Sequence, residues 1–281
     1  MPTSELLPQR SILITGCSSG IGLASAREMK ARGWRVFATA RKQEDIAWLR
    51  DQEGLESLYL DYAEPHSIEA AAKHVLDATG GTLTALFNNG AYGQPGAVED
   101  LTPDVLRAQF EANVFGWHDL TRRVIPAMRA QGEGRIVFCS SVLGLVAAPY
   151  RGAYCASKFA IEALADSLRM ELAATGIRIA LIEPGPIATR FLEHALEAYR
   201  RNIDLEASAH SEIYRTRIAR LEEGGDQTFK LGPEAVALKL VHALESRNPK
   251  PRYYVTIPTY AAAFLRRLLP TRALDAIAAK N

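Results

Sequence analysis

Ser11-Ile12-Leu13-Ile14-Thr15-Gly16-Cys17-Ser18-Ser19-Gly20-Ile21-Gly22 decides the fold. A short apolar strand runs into a turn with three glycines, and a helical pattern over residues 21–31 follows at once. Glycines at such a turn have a physical purpose: without Cβ they permit a tight bend and let backbone N–H groups approach a pyrophosphate, while the helix N-terminus adds partial positive charge. The spacing is GxxxGxG and not the GxGxxG dinucleotide fingerprint. Taken alone, the turn is also compatible with a plain strand-to-helix connection.

Outward from this turn the alternation recurs. WRVFATA (34–40), LESLYLD (55–61), LTALFNN (83–89), RIVFCSS (135–141) and IRIALIEPG (177–185) read as strands, with RYYVTI (252–257) as a seventh. Helical patterns between them include 67–78, 103–129 and 153–174. Several strand runs are apolar at consecutive positions, as expected where helices cover both faces. The sequence therefore predicts a single-domain Rossmann fold, a doubly wound α/β architecture with a seven-stranded parallel sheet and helices on both faces. Residues 11–189 form the expected cofactor-binding and catalytic core. After the Pro184-Gly185-Pro186 punctuation, residues 190–231 lose the rhythm and read as a helical insertion over the site. Residues 258–281 form an amphipathic extension, a helix broken at Pro270.

Composition excludes several classes. Lys plus Arg number 33 and Asp plus Glu 32, so no net field draws the molecule to nucleic acid. Cys17, Cys139 and Cys155 have neither the even count nor the CxxC spacing of a disulfide framework or zinc site, which points to a reducing, cytoplasmic compartment. The six histidines lack HxxxH or HExxH spacing, so no metal is expected. The N-terminal stretch lacks the features of a secretory signal, and no apolar run is long enough for a membrane span.

At the end of the second strand, where an acidic residue would hold the ribose 2′-hydroxyl of NAD, the chain has Thr39-Ala40-Arg41-Lys42. A guanidinium forms charge-assisted, fork-like bonds to a 2′-phosphate, so Arg41 points to NADP(H). The competing reading leaves Arg41 and Lys42 as solvated helix-start charges.

Tyr154-Cys155-Ala156-Ser157-Lys158 opens a strong helical pattern, so the tyrosine and lysine share one face. An ammonium neighbour favours the phenolate and lowers a pKa that is ordinarily about 10, which suits proton exchange with a carbonyl or alcohol. Ser141 closes a strand thirteen residues before Tyr154, at the rim where open parallel sheets bind ligands. Asn88-Asn89-Gly90-Ala91 closes another strand on that rim, and Asn113 interrupts a helical run in FEANVFG.

On these motifs the chain resembles the single-domain short-chain dehydrogenase/reductases over about residues 11–189. The family's TGxxxGIG turn matches Thr15, Gly16, Gly20, Ile21 and Gly22, with Ser18 and Ser19 inside it, and its adenine-contacting Asp matches Asp61. The resemblance implies a catalytic tetrad of Asn113, Ser141, Tyr154 and Lys158. In it Tyr154 is the general acid/base, Ser141 bonds the substrate oxygen, Lys158 tunes the tyrosine and binds the nicotinamide ribose, and Asn113 holds a water. Ser140 competes for the serine role, and spacing favours Ser141. Pro184, Gly185, Ile187 and Thr189 match the family's PG-x-I-x-T segment, which implies that Thr189 holds the nicotinamide carboxamide. Asn88 and Gly90 join the implied cofactor contacts, although the usual NNAG reads NNGA here.

Within the family the motifs are most similar to bacterial NADP-dependent aldehyde reductases, and more distantly to the hydroxysteroid, retinol and acyl-dihydroxyacetone-phosphate reductases. This implies a lipophilic carbonyl or alcohol substrate and a homodimer or homotetramer built on the 103–129 and 153–174 helices. Oxidative alcohol dehydrogenation and a non-catalytic dinucleotide sensor on the same fold remain the alternatives. The LRRLLPTRALDAI segment reads either as a helix docked over the pocket or as a membrane-surface helix.

Overall fold

Three consecutive apolar residues cannot be satisfied by a strand with one wet face, and Ile12, Leu13 and Ile14 of β1 (Ser11–Ile14) are all wholly buried. The computed structural model describes residues 9–223 and 228–279. Residues 1–8, 224–227 of the expected insertion, and the last two of the expected extension lie outside the described residues.

β1 pairs in parallel with β2 (Arg35–Ala40) on one side and β4 (Ala85–Asn88) on the other. Ile14 thus lies level with both Ala38 and Phe87. With β3 (Glu56–Tyr59), β5 (Gly134–Cys139), β6 (Ile177–Glu183) and β7 (Arg252–Tyr254) the seven-stranded sheet runs β3-β2-β1-β4-β5-β6-β7. Every neighbouring pair is parallel, as the sequence predicts. Chain order reverses between β1 and β4, and the strand ends at such a switch point open a ligand crevice.

The connecting helices cover both faces. α1 (Gly20–Ala31) packs on α9 (Glu234–Glu245), and α3 (Pro65–Ala78) packs on α5 (Gly116–Gln131). α2 (Gln43–Asp51) follows β2, and α6 (Gly152–Glu171) lies against β6. α7 (Phe191–Asn202) and α8 (Ser211–Glu222) pack on each other and on a small core of Ala97, Tyr199, Ile203 and Tyr214. Their segment is tied at its base where Ala188 N–H donates to Leu231 O at 2.8 Å.

Two elements depart from the sequence reading. The helix expected over 103–129 is α4 (Pro103–Phe110), then a π-helical turn over Glu111–Phe115, then α5. The insertion has a cause: the Asn113 amide leaves the helix surface, accepting from Tyr92 N at 3.2 Å and donating to Tyr92 O at 2.9 Å. β7 stops at Tyr254, three residues early, because Pro258 sits in the first turn of α10 (Ile257–Leu268), where proline's missing N–H is not needed. α11 (Thr271–Ala278) follows Pro270. Among the described residues no helix is long and apolar enough to cross a membrane.

Beneath the strand ends, Arg252 of β7 gathers three carboxylates: Glu162 at 2.7 Å and Asp166 at 2.8 Å from α6, and Glu183 of β6 at 3.2 Å. One guanidinium cannot neutralise three acids. Glu183 is fully buried and has the longest contact, and burial lifts its carboxyl well above the usual range, which favours its protonated form.

Candidate active site

The glycine turn is held by close backbone contact. Gly16 has φ of 69°, and a β-carbon there would stand 2.6 Å from the Cα of Gly90. At Gly22 a β-carbon would overlap the Gly16 carbonyl. The exchange of Gly90 and Ala91 therefore puts the side-chain-free residue where the two loops touch. Thr15 Oγ1 ties them further, accepting from Asn89 N at 2.9 Å and Gly90 N at 3.1 Å. Ser19 caps α1 without a side-chain bond, so the leading amides of that helix lack intrahelical partners.

A cleft of about 1250 Å³ opens along the strand ends. It is lined by Gly16, Ser18, Ser19, Gly20 and Ile21, by Arg41 and Asp61, and by Gly90. Ser141, Tyr154 and Lys158 line it, as do Pro184, Gly185, Ile187 and Thr189. Its two walls meet where a β-carbon on Gly20 would come 2.8 Å from Thr189 Cγ2. Lys42 pairs with Glu44 at 3.4 Å, whereas Arg41 has no ion pair among the described residues.

Two predicted residues lie behind the cleft. Asn88 is wholly buried; its Oδ1 accepts from Tyr62 OH at 2.8 Å and its Nδ2 donates to Thr121 Oγ1 at 3.0 Å. It braces the sheet, while its neighbours Asn89 and Gly90 line the cleft. Asn113 is equally buried, its amide used on Tyr92 and on Ser157 Oγ at 3.2 Å. Any water it held would have to meet its main-chain oxygen.

At the chemical end, Ser141 Oγ accepts from Leu143 N at 3.1 Å and lies in hydrogen-bonding reach of the Tyr154 phenol. The Ser140 hydroxyl instead faces Gly144. One turn along α6, Lys158 is buried, donates to Cys139 O at 2.8 Å, and stands 4.3 Å from the centre of the Trp117 ring and 5.6 Å from that of Tyr154. Here the structure departs from the sequence reading of a lowered tyrosine. Burial pushes the Tyr154 phenol up, with the Ser141 bond opposing only in part, and burial pulls Lys158 down from 10.5 to about 8. Desolvation is the largest influence on both groups. Burial also pushes the thiols of Cys17 and Cys139 up, to about 12 and about 11, so both are un-ionised at neutral pH.

Several residues of the site escape sequence reasoning. Tyr62 OH is hydrogen-bonded to Thr15 Oγ1 at 2.8 Å, and Trp117 Nε1 donates to Gly90 O at 2.8 Å while its ring faces Lys158. Trp117 thereby couples the glycine loop to the lysine. Phe191 rests on the Tyr154 ring with centroids 5.3 Å apart. The only sequence signal for Trp117 is its position one turn beyond Asn113.

A family model described as short chain dehydrogenase matches residues 10–200. The chain is 45% identical over 269 residues to the uncharacterized oxidoreductase YbbO of Escherichia coli (strain K12), covering 96% of this chain and 94% of that one. It is 32% identical over 281 residues to the NADPH-dependent 3-dehydrocapnine reductase of Ornithobacterium rhinotracheale, covering 97% of each. A solved short-chain dehydrogenase from Streptomyces avermitilis matches with a TM-score of 0.77 and 30% identity, covering 97% of this chain and 94% of that one.

Proposed function

The chain belongs to the short-chain dehydrogenase family of oxidoreductases, and from that premise we propose that it reduces a lipophilic aldehyde or ketone to the alcohol with NADPH, Tyr154 serving as general acid. The observation that carries this reading is the convergence of Ser141, Tyr154 and Lys158 on the cleft that begins at the glycine turn. The residues present fit the dinucleotide. The space a side chain would fill at Gly16 and Gly22 is kept clear, the uncapped α1 N-terminus suits a pyrophosphate, and the unpaired Arg41 suits a 2′-phosphate. Asp61 would bind the adenine, and Pro184, Gly185, Ile187 and Thr189 would border the nicotinamide, with Thr189 on its carboxamide. An NADPH-dependent reductase among the relatives agrees with this preference.

When bound, the nicotinamide supplies the hydride to the carbonyl carbon. The chain's own residues manage the oxygen. Ser141 donates a hydrogen bond to the carbonyl oxygen, and Tyr154 transfers its phenolic proton to that oxygen as it gains charge. Lys158 sets the phenol's electrostatics, and the main-chain oxygen of Asn113 would hold a water that re-protonates the site. Burial keeps the phenol protonated, so Tyr154 enters the step carrying the proton it must give. The apolar wall of Val142, Leu143, Leu145 and Val146 excludes water from the oxygen. Exposed Leu106, Phe115, Leu164 and Met170, on α4 through α6, support assembly of the chain into a homo-oligomer, which light scattering would measure.

The test is NADPH oxidation with medium- and long-chain aldehydes, retinal and steroid ketones. Tyr154→Phe should lower kcat by about 10²–10⁴ while NADPH still binds. Absence of turnover with every carbonyl, or full activity in Y154F, would overturn the proposal.

A further inference from the structure

Past Tyr154 the cleft runs between α7, α8 and the turn before α6, and there its wall becomes basic. Arg151, Arg217 and Arg220 all line it. Elsewhere in the chain arginines meet acids at short range: Arg27 with Glu53, Arg32 with Glu245, Arg35 with Glu56. Arg151 and Arg217 make no ion pair among the described residues. For Arg151 burial lowers the guanidinium pKa, and repulsion from Arg217 and Arg220 lowers it further. Arg151 and Arg217, cations on a cleft wall with no acid against them among the described residues, are free to make charge-assisted bonds to an anion that enters it.

The neighbourhood is built around this arrangement. Tyr150 holds φ at 63°, a left-handed conformation that is a strained outlier for a bulky residue. That backbone sets its ring beneath the Arg217 guanidinium at 4.4 Å and edge-on to Tyr214 with centroids 6.0 Å apart. Tyr199 also lines the cleft; it is 1% exposed, and its hydroxyl has no hydrogen-bond partner. A buried hydroxyl left without a partner near the Arg217 guanidinium is a donor awaiting an acceptor. Leu192, Ile213, Leu221, Leu265 and Leu274 supply an apolar surface in the same cleft.

We propose that Arg151, Arg217 and the Tyr199 hydroxyl form an anion subsite, and that the substrate is a carbonyl compound carrying a carboxylate or phosphate as well as an apolar chain. The inference rests on the reading of Tyr154 as a carbonyl reductase's acid, and it narrows the substrate class for that site. Carboxylate and phosphate make the same charge-assisted bonds to guanidinium, so the test separates them.

With NADP+ present, calorimetric titration compares octanoate, octyl phosphate and 1-octanol on the wild-type protein, on Arg151→Gln and on Arg217→Gln. One or both anions should bind about tenfold or more tightly than the alcohol, with a preference that weakens as salt rises. The stronger anion names the head group. Either variant should cut the anion-to-alcohol affinity ratio about tenfold, with R217K restoring part of it; unchanged thermal unfolding marks the variants as folded. Equal affinity for all three ligands, or an anion preference that survives in the R151Q/R217Q double variant, overturns the proposal. Turnover of 8-oxooctanoate and octanal with NADPH separates the two claims. Anion preference without reduction of either compound removes the carbonyl-reductase reading and leaves the subsite, whereas reduction of octanal without anion preference removes the subsite alone.

Discussion

Replacing Lys158 with methionine should make the protein more stable at neutral pH while disabling its site. The ammonium is buried at 1% exposure, and burial pulls its pKa from 10.5 to about 8. At 1.36 kcal/mol per pKa unit, holding that charge in the fold costs about 3 kcal/mol wherever the lysine is protonated in both folded and unfolded chains, that is, below pH about 8. Methionine has similar volume and no charge, but it leaves the Cys139 carbonyl without its 2.8 Å donor, a loss of about 1 kcal/mol. The net expectation is a Lys158→Met variant about 2 kcal/mol more stable than wild type at pH 7, seen as a rise of about 4 °C in Tm. The sign of the pH dependence follows from the lowered folded value. Between pH about 8 and 10.5 the unfolded lysine still holds its proton while the folded one has lost it, so wild-type stability climbs relative to the variant by about 1.4 kcal/mol per pH unit, the gap closes near pH about 9.5, and wild type is the more stable by about 1 kcal/mol at pH 10.5. Urea unfolding of both proteins from pH 6 to 10.5 measures this, and other titrating groups cancel in the difference. A K158M variant less stable than wild type at pH 7, or a gap that does not narrow with rising pH, would refute the idea that burial of this charge opposes folding.

Other perturbations test the rest of the frame. Arg41→Ala should raise the NADPH KM by about ten- to a hundredfold, the equivalent of a charge-assisted bond of about 1.5–3 kcal/mol, and leave the NADH KM alone; equal effects on both would return Arg41 to the role of a solvated charge. In Gly22→Ala the new β-carbon overlaps the Gly16 carbonyl, so fluorescence titration should find NADPH affinity lost from a chain that still folds; undiminished affinity would mean the turn is not the cradle. Arg252→Met strands the acids it gathers and should lower urea-measured stability by about 3–5 kcal/mol. Glu183→Gln mimics the protonated acid and should cost under about 1 kcal/mol at pH 6. A loss in E183Q as large as in R252M would show Glu183 to be ionised.

The sheet was legible because burial on both faces writes itself into consecutive apolar residues, as at Ile12-Leu13-Ile14, and because parallel strands require helices between them. Tyr154 and Lys158 were legible for a local reason, a spacing that one helical turn converts into a shared face. What could not be read depends on partners distant in sequence. FEANVFG signals a poor helix at Asn113, but only the Tyr92 backbone, reached across 21 residues, turns it into a π insertion. Asn88 sits in a loop motif and still points inward, because Tyr62 and Thr121 wait for it there. The arginines that line the cleft past Tyr154 come from positions 151 and 217, and no periodicity joins them. The same limit governs the tyrosine–lysine pair. Spacing predicts attraction, and attraction alone lowers the phenol. The fold adds desolvation, which acts on both groups at once, raising Tyr154 and lowering Lys158. The proton is thereby held on the phenol and the lysine charge held at a cost, so negative charge arriving in the cleft, from a phosphate or a substrate anion, would offset that cost and keep the lysine a cation to higher pH.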